Sequence, residues 1–312
     1  MLKKLTLLLT LVILIGLYAS IDRQALLSHF RQLNVPLFLL ALCLFVPQSL
    51  VTAWRWCWMV ADVLPLGLVE STRLILASKA LNAFVPSKLG EMSKAYFLKR
   101  RSNVALSRGT ALVLIEKVLD TGGLCATILV GVLWTPQKGR LEVTAALVAL
   151  LFIAVMGLLF ILKAKTLGRV LPDGWRLMNR LRALLADWDA TLTSWKQHRL
   201  RLLGILALSC LLWFLHLIQI YLFFPILHST VGIQTVFAYV PISIFIGLLP
   251  FTIGGMGTRD SALIFLFAPY ESASVMAGVG LLCSLRYWMD TLMGLPFFHR
   301  YSLDQTGLGS RG

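Results

Sequence analysis

Apolar residues in this chain run in unbroken blocks instead of alternating or marking one helix face. Most blocks hold the roughly 20 residues that carry a helix across the ~30 Å hydrocarbon core of a bilayer. Leu5 to Ile21, Pro36 to Trp58, Ser107 to Trp134, Glu142 to Leu162, Leu202 to Phe224 and Ser272 to Phe298 each read as a full span. Two further segments are apolar but broken. Ser71 to Leu98 is interrupted by Lys79, Asn82, Lys88, Glu91 and Lys94, and Pro86 and Gly90 break its helix. Val236 to Leu249 stops at Pro250, Gly254, Gly255 and Gly257 and restarts from Thr258 to Phe267. Basic residues flank the first broken segment on both sides, with Arg73 at its start and Lys99, Arg100, Arg101 and Arg108 after it. It therefore reads as a hairpin that enters and leaves on one side, and the second as a hairpin entering from the other. The pattern predicts an all-α polytopic membrane protein of about six full spans plus two re-entrant hairpins, near residues 71–98 and 236–268. It divides into a first membrane half (1–162), a basic amphipathic region (163–201), the rest of the second half (202–298) and a tail (299–312).

Composition sharpens this picture. The chain is 58% hydrophobic and 14% charged, against about 45–50% and 25% in an average soluble domain, so its excess apolar surface needs lipid. A formal charge of +15 would suit nucleic acid, but the basic residues flank the apolar blocks and no groove-reading module is present. Nucleic acid is therefore not an expected partner. The far side holds only Arg23, Arg31, Lys138 and Arg140, which places both termini in the cytoplasm and the chain in the cell (inner) membrane. Met1-Leu2-Lys3-Lys4 and the apolar run after it resemble a secretory signal. Leu17-Tyr18-Ala19 is a poor cleavage site, so this segment is expected to stay as the first span. Five scattered cysteines and five scattered histidines offer no metal-ligand spacing, and no cofactor is expected.

Residues 163–201 carry nine basic and three acidic residues. Leu177, Leu181, Leu184, Leu185, Trp188, Leu192 and Trp195 recur there at helical spacing. A helix with its Trp face laid on the anionic inner leaflet is expected, the alternative being a helix packed on other loops.

The two breaks share a pattern. Pro86 with Gly90 and Met92, and Pro250 with Gly254 and Met256, have the same spacing, and Asp120-Thr121 and Asp290-Thr291 follow on the next spans. Each half reads span, span, hairpin, span, in opposite orientations. Inverted repeats with helices broken near the midplane mark transporter sites.

Ionisable groups at membrane depth cost about 2.5–3.5 kcal/mol each, so an interior set of them needs a use or a partner. The set here is Lys79, Lys88, Glu91, Lys94, Glu116, Lys117, Asp120, Arg259, Asp260, Arg286 and Asp290. Lys88 and Arg259 open the second limbs of the hairpins, where helix dipoles are positive. Lys79, Asn82, Lys88, Arg259 and Arg286 are therefore candidate ligands for an anionic lipid headgroup. Glu91, Glu116, Asp120, Asp260 and Asp290 would organise them or take up protons. Alternatively these charges pair only to hold the hairpins, for instance Lys88 or Arg259 with Glu116 or Asp120.

Trp54-Arg55-Trp56, Asn82 with Pro86-Ser87-Lys88-Leu89-Gly90-Glu91, Glu116-Lys117 with Asp120, and Leu249-Pro250 with Gly254-Gly255-Met256-Gly257-Thr258-Arg259-Asp260 together resemble the lysylphosphatidylglycerol synthase transmembrane-domain-like (flippase-like) family. Family members often have Arg where this chain has Lys88, and Glu where it has Asp260. The resemblance implies movement of an anionic, aminoacylated or glycan-linked lipid between leaflets. Members that make aminoacylated phosphatidylglycerol carry a large soluble synthase domain after the membrane part, whereas this chain ends 14 residues after Phe298. Transport is accordingly expected over catalysis, with membrane lipids and envelope-biosynthesis proteins as partners. The competing readings are a non-transporting accessory subunit of an envelope or lipid biosynthesis assembly, and a membrane-embedded lipid-phosphate transferase.

Overall fold

The structure, a computed structural model, describes residues 2–82, 90–102, 104–135, 139–161, 176–249 and 252–303. All regular structure among them is helical. The first half holds α1 (Leu2–Ala19), α2 (Arg23–Arg31), α3 (Val35–Cys43), α4 (Phe45–Val60), α5 (Leu68–Leu81), α6 (Ser93–Ser102), α7 (Leu106–Trp134) and α8 (Arg140–Ile161). Then come α9 (Arg176–Gln197), α10 (Arg199–Ile226), α11 (Ile233–Gly247), a single 3-10 turn (Ile253–Gly255), α12 (Thr258–Phe267) and α13 (Ala273–Leu303).

Several helix ends have a local cause. Asp22 accepts from the Gln24 and Ala25 N–H groups and starts α2, which lies at 88° to α1. Asn34 caps α3 through the Leu37 N–H. The short interruption at Leu44 precedes Pro47, whose ring removes the N–H that would bond to the Cys43 carbonyl. Val35–Val60 nonetheless forms one apolar path of 26 residues. That path, Leu141–Leu158 and Arg199–Ile226 are long and apolar enough to cross a membrane, and the bent pair Leu7–Ala19 with Arg23–Arg31 can supply a fourth span. Helices α7 and α13, at 29 and 31 residues, exceed the length needed but carry charge at mid-helix.

Limbs of the broken segments are shorter. Helices α5 and α11 have 14 and 15 residues, about 21–23 Å, and α6 and α12 have 10 each, about 15 Å, all below the ~30 Å of hydrocarbon. Helices α11 and α12 pack against each other. Gly254, Gly255 and Gly257 turn the chain between them at φ of 61°, 77° and 95°, where a Cβ is strained. In the first hairpin Gly90 lies so close to α5 that a Cβ there would sit 2.5 Å from the Asn82 nitrogen, so α6 begins where α5 ends. Pro86, Lys88 and Pro250, read from the sequence at these breaks, lie outside the described residues.

Contacts between elements come in matched pairs. Helix α5 packs on α13 as α11 packs on α7, α6 packs on α7 as α12 packs on α13, and α4 packs on α5 as α10 packs on α11. The two halves thus exchange the first limbs of their hairpins, while each second limb stays on its own half. One core joins α7, α10, α11, α12 and α13 through Phe223, Phe224, Phe267 and Met276. A second joins α4, α5, α7 and α9 through Trp56, Leu112, Trp188 and Trp195.

That second core corrects one expectation. The tryptophans of α9 do not face lipid: Trp195 is 1% exposed and Trp188 is 8% exposed, packed against protein. Helix α9 follows α7, because the large apolar area of two indoles is better matched by a preformed groove than by a headgroup layer. Its Arg176, Arg180 and Lys196 remain outward.

Candidate functional site

Where the two hairpins approach each other, a cavity of about 270 Å³ opens among α4, α5, α7, α10, α11 and α13. Six basic residues (Arg55, Lys79, Lys94, Lys117, Arg259, Arg286) and four acidic ones (Glu91, Glu116, Asp120, Asp290) line it. Tyr287 ties the breaks together. Its hydroxyl donates to the Asn82 carbonyl at the end of α5, 3.1 Å away, and its ring backs onto Gly254.

In the first half six charges close into an alternating ring. Arg55 on α4 binds Glu116 at 3.3 Å and Asp120 at 2.6 Å on α7. Glu116 also binds Lys94 of α6, Lys94 reaches Glu91 at 3.3 Å, Glu91 binds Lys117, and Lys117 returns to Asp120 at 3.4 Å. The i, i+4 spacing of Glu116 and Asp120 lets one guanidinium bridge both. Three cations and three carboxylates leave no net charge, which is how a low-dielectric interior holds them. Arg55, Lys94 and Glu116 are each 1% exposed. Lys94 also lies over the Trp56 ring at 4.6 Å, and Ser209 of α10 accepts from Arg55 at 3.1 Å. Trp213 donates to the Asp120 carbonyl at 2.8 Å.

Charges in the second half are spread out. Arg259 gives Nε and Nη2 to one oxygen of its neighbour Asp260, at 2.9 and 2.6 Å, while Nη2 also reaches the Gly280 carbonyl and Ser284 Oγ at 2.9 Å each. The other Asp260 oxygen accepts from Gly257 N–H at 3.1 Å and so neutralises the start of α12. Asp290 does not turn to Arg286, four residues before it; it pairs across to Lys79 of α5 at 3.1 Å. Arg286 is left with a 3.4 Å contact to Gln219 Oε1, an oxygen that Gln48 already occupies at 3.0 Å. Among the described residues it pairs with no carboxylate.

Lys79, Asn82, Glu91, Glu116, Asp120, Arg259, Arg286 and Asp290 therefore come together at one cavity, as do Gly254 and Gly255. Asp260 stands behind Arg259, and Gly90 and Gly257 shape the breaks. Lys88 lies outside the described residues. The alternative pairing of Arg259 with Glu116 or Asp120 does not form, because those carboxylates are engaged by Arg55, Lys94 and Lys117. Arg55 was not among the candidate ligands, although it is a lone cation in the apolar run Phe45–Val60; that isolation was its signal. Tyr287 and Gln219 carried no comparable signal, since a polar residue in a long span has many uses.

No group of His, Cys, Asp and Glu among the described residues has metal-site geometry. A helical scaffold with apolar spans around a charged interior cavity defines a polytopic membrane protein. The profile of the lysylphosphatidylglycerol synthase TM region matches residues 4–294, and the chain belongs to that family. Among its relatives is a UPF0104 membrane protein of Methanothermobacter thermautotrophicus, 26% identical over 253 residues, covering 72% of this chain and 74% of the relative. Another, from Methanocaldococcus jannaschii, is 25% identical over 193 residues, covering 60% of this chain and 78% of that protein.

Proposed function

We propose that the protein moves an anionic lipid between the leaflets of the cell membrane, with the headgroup crossing through the cavity and the acyl chains remaining in lipid. The observation that carries this reading is Arg286, which among the described residues pairs with no carboxylate, in a charged cavity lying between two broken helices. A guanidinium held at membrane depth without a carboxylate is costly unless an anion answers it. Helix breaks meeting at one cavity, in halves that exchange the first limbs of their hairpins, are the architecture of alternating access. A cavity of about 270 Å³ suits a headgroup and is too small for a whole lipid. In this reading six spans and two oppositely inserted hairpins form an inverted repeat, and both termini face the cytoplasm.

The test is reconstitution into liposomes with a fluorescent phosphatidylglycerol whose outer-leaflet fraction is quenched chemically. Wild type moves the lipid between leaflets, and Arg286→Gln inserts normally but moves it at least tenfold more slowly. A wild-type protein that moves no anionic lipid in either direction, with or without a proton gradient, points to an accessory subunit. Sidedness is checked with Gln197→Cys, which should react with an impermeant maleimide only after the cells are opened.

A further inference from the structure

We infer that Gln219 of α10 is the positioning residue of Arg286: from outside the cavity lining, its side-chain oxygen orients the guanidinium without cancelling its charge. The inference rests on the translocase reading and adds a residue that acts on the site through another. Arg286 lines the cavity, whereas Gln219 and its neighbour Gln48 do not. Both amides are buried, Gln219 at 1% exposed and Gln48 at 5%.

Both ends of the Gln219 amide are engaged. Nε2 donates to the Ala41 carbonyl at 2.7 Å, while Oε1 accepts from Gln48 Nε2 at 3.0 Å and from Arg286 Nη1 at 3.4 Å. Gln48 Nε2 also reaches the Leu215 carbonyl at 3.2 Å. Ala41 lies in the last turn of α3, just before the interruption at Leu44, where helix carbonyls have no intrahelical N–H to accept from. That carbonyl fixes which way Gln219 faces. A turned amide would set oxygen against oxygen at Ala41, and NH2 against the donors of both Gln48 and Arg286. The interruption in the path Val35–Val60 thereby decides that Arg286 meets an oxygen.

Charge explains why that oxygen belongs to an amide. Asp260 neutralises Arg259 and Asp290 neutralises Lys79, and a carboxylate at position 219 would do the same to Arg286. A neutral oxygen fixes the direction of the guanidinium and leaves its charge to an anion in the cavity.

The experiment measures binding of dihexanoyl phosphatidylglycerol to the full chain in phosphatidylcholine nanodiscs, with dihexanoyl phosphatidylcholine as the control of no net charge. Wild type, Gln219→Leu, Arg286→Gln and the double variant form a cycle. Each single substitution should weaken phosphatidylglycerol about tenfold, and the double variant should bind no more weakly than Arg286→Gln, because Gln219 acts only through Arg286. Binding of the control should be the same throughout. A merely structural role gives a different pattern: Gln219→Leu weakens both lipids, and its effect adds to that of Arg286→Gln. That pattern overturns the inference, as does Gln219→Leu binding phosphatidylglycerol as tightly as wild type. Where Gln219→Leu fails to fold, Gln219→Glu keeps the size of the side chain. At pH 8 its carboxylate, ionised beside the guanidinium, should compete with the probe and weaken phosphatidylglycerol about tenfold. Wild-type affinity in Gln219→Glu overturns the inference. Translocation of fluorescent phosphatidylglycerol by the same proteins in liposomes separates the two readings. Transport by wild type with an additive cycle keeps the translocase and removes the positioning role, whereas the expected cycle without transport removes the translocase and keeps the positioning of Arg286. Wild type that neither binds nor moves the lipid removes both.

Discussion

Around one cavity the two halves of the molecule handle charge differently. In the first half, Arg55, Lys94 and Lys117 alternate with Glu91, Glu116 and Asp120 so that every group has two opposite neighbours. In the second, Arg259 is clamped by its own neighbour, Asp290 is drawn across to α5, and Arg286 has no carboxylate among the described residues. A closed ring is self-sufficient in a low-dielectric interior and needs no ligand. A cation with no carboxylate among the described residues is not, so in the proposed reading the anion is bound at α13 even though most of the cavity's charge sits on α4, α6 and α7.

The comparison breaks most visibly at Glu116. Glu116→Gln removes the carboxylate shared by Arg55 and Lys94, leaving them only Asp120 and Glu91 and the buried ring one positive charge in excess. It is expected to cost about 3–5 kcal/mol, read as a lower midpoint of thermal unfolding in detergent and a loss of folded yield. An unchanged midpoint would mean the ring does not hold the first hairpin. Next is Gly257→Ala, which forces a Cβ onto a residue at φ 95° and against Ile13 of α1. A loss of about 1–3 kcal/mol is expected, with α12 the first element to lose protection in hydrogen exchange. Arg286→Gln sharpens the contrast from the other side. With no carboxylate to strand, it should change stability by less than about 1 kcal/mol while impairing transport, the reverse of Glu116→Gln.

The smallest effect lies outside the membrane. Asp62, in the loop between α4 and α5, pairs with Arg201 of α10 at 2.5 Å and accepts from Ser194 of α9. The Arg201 guanidinium, ahead of Ser194, holds its carboxyl below the usual carboxylate range. A depressed folded value means this clip contributes fully above the ordinary Asp pKa of about 4 and is lost as pH falls below it. Wild type should therefore lose a little stability below about pH 4 that Asp62→Asn has already lost. Parallel pH profiles for the two proteins would sink that assignment.

Some of this was legible before any coordinates. Spans of Leu, Val, Ile and Phe can only be helices in lipid, because the backbone must satisfy its own hydrogen bonds there. Pro47 and the three glycines at positions 254, 255 and 257 mark interruptions because ring closure and positive φ are local matters. Glu116 and Asp120 could be placed on one stripe from the helical repeat alone. The membership of the cavity was also largely readable, since charges in apolar runs are costly and so cluster.

Pairing was not readable. Asp290 lies four residues from Arg286 on the same face, yet it binds Lys79, 211 positions away in sequence, because α5 packs along α13. Arg259 met Asp260 and not Glu116, and Arg55 closed a ring with residues from two other helices. The tryptophans of α9 had the periodicity of a membrane-surface helix and were instead buried in a groove beside α7. Hydrophobic periodicity is a property of one helix, and the chain determines it residue by residue. Which opposite charge lies within 4 Å, and which cation is left without one, depends on how helices far apart in sequence come to lie side by side, and only the tertiary structure decides that.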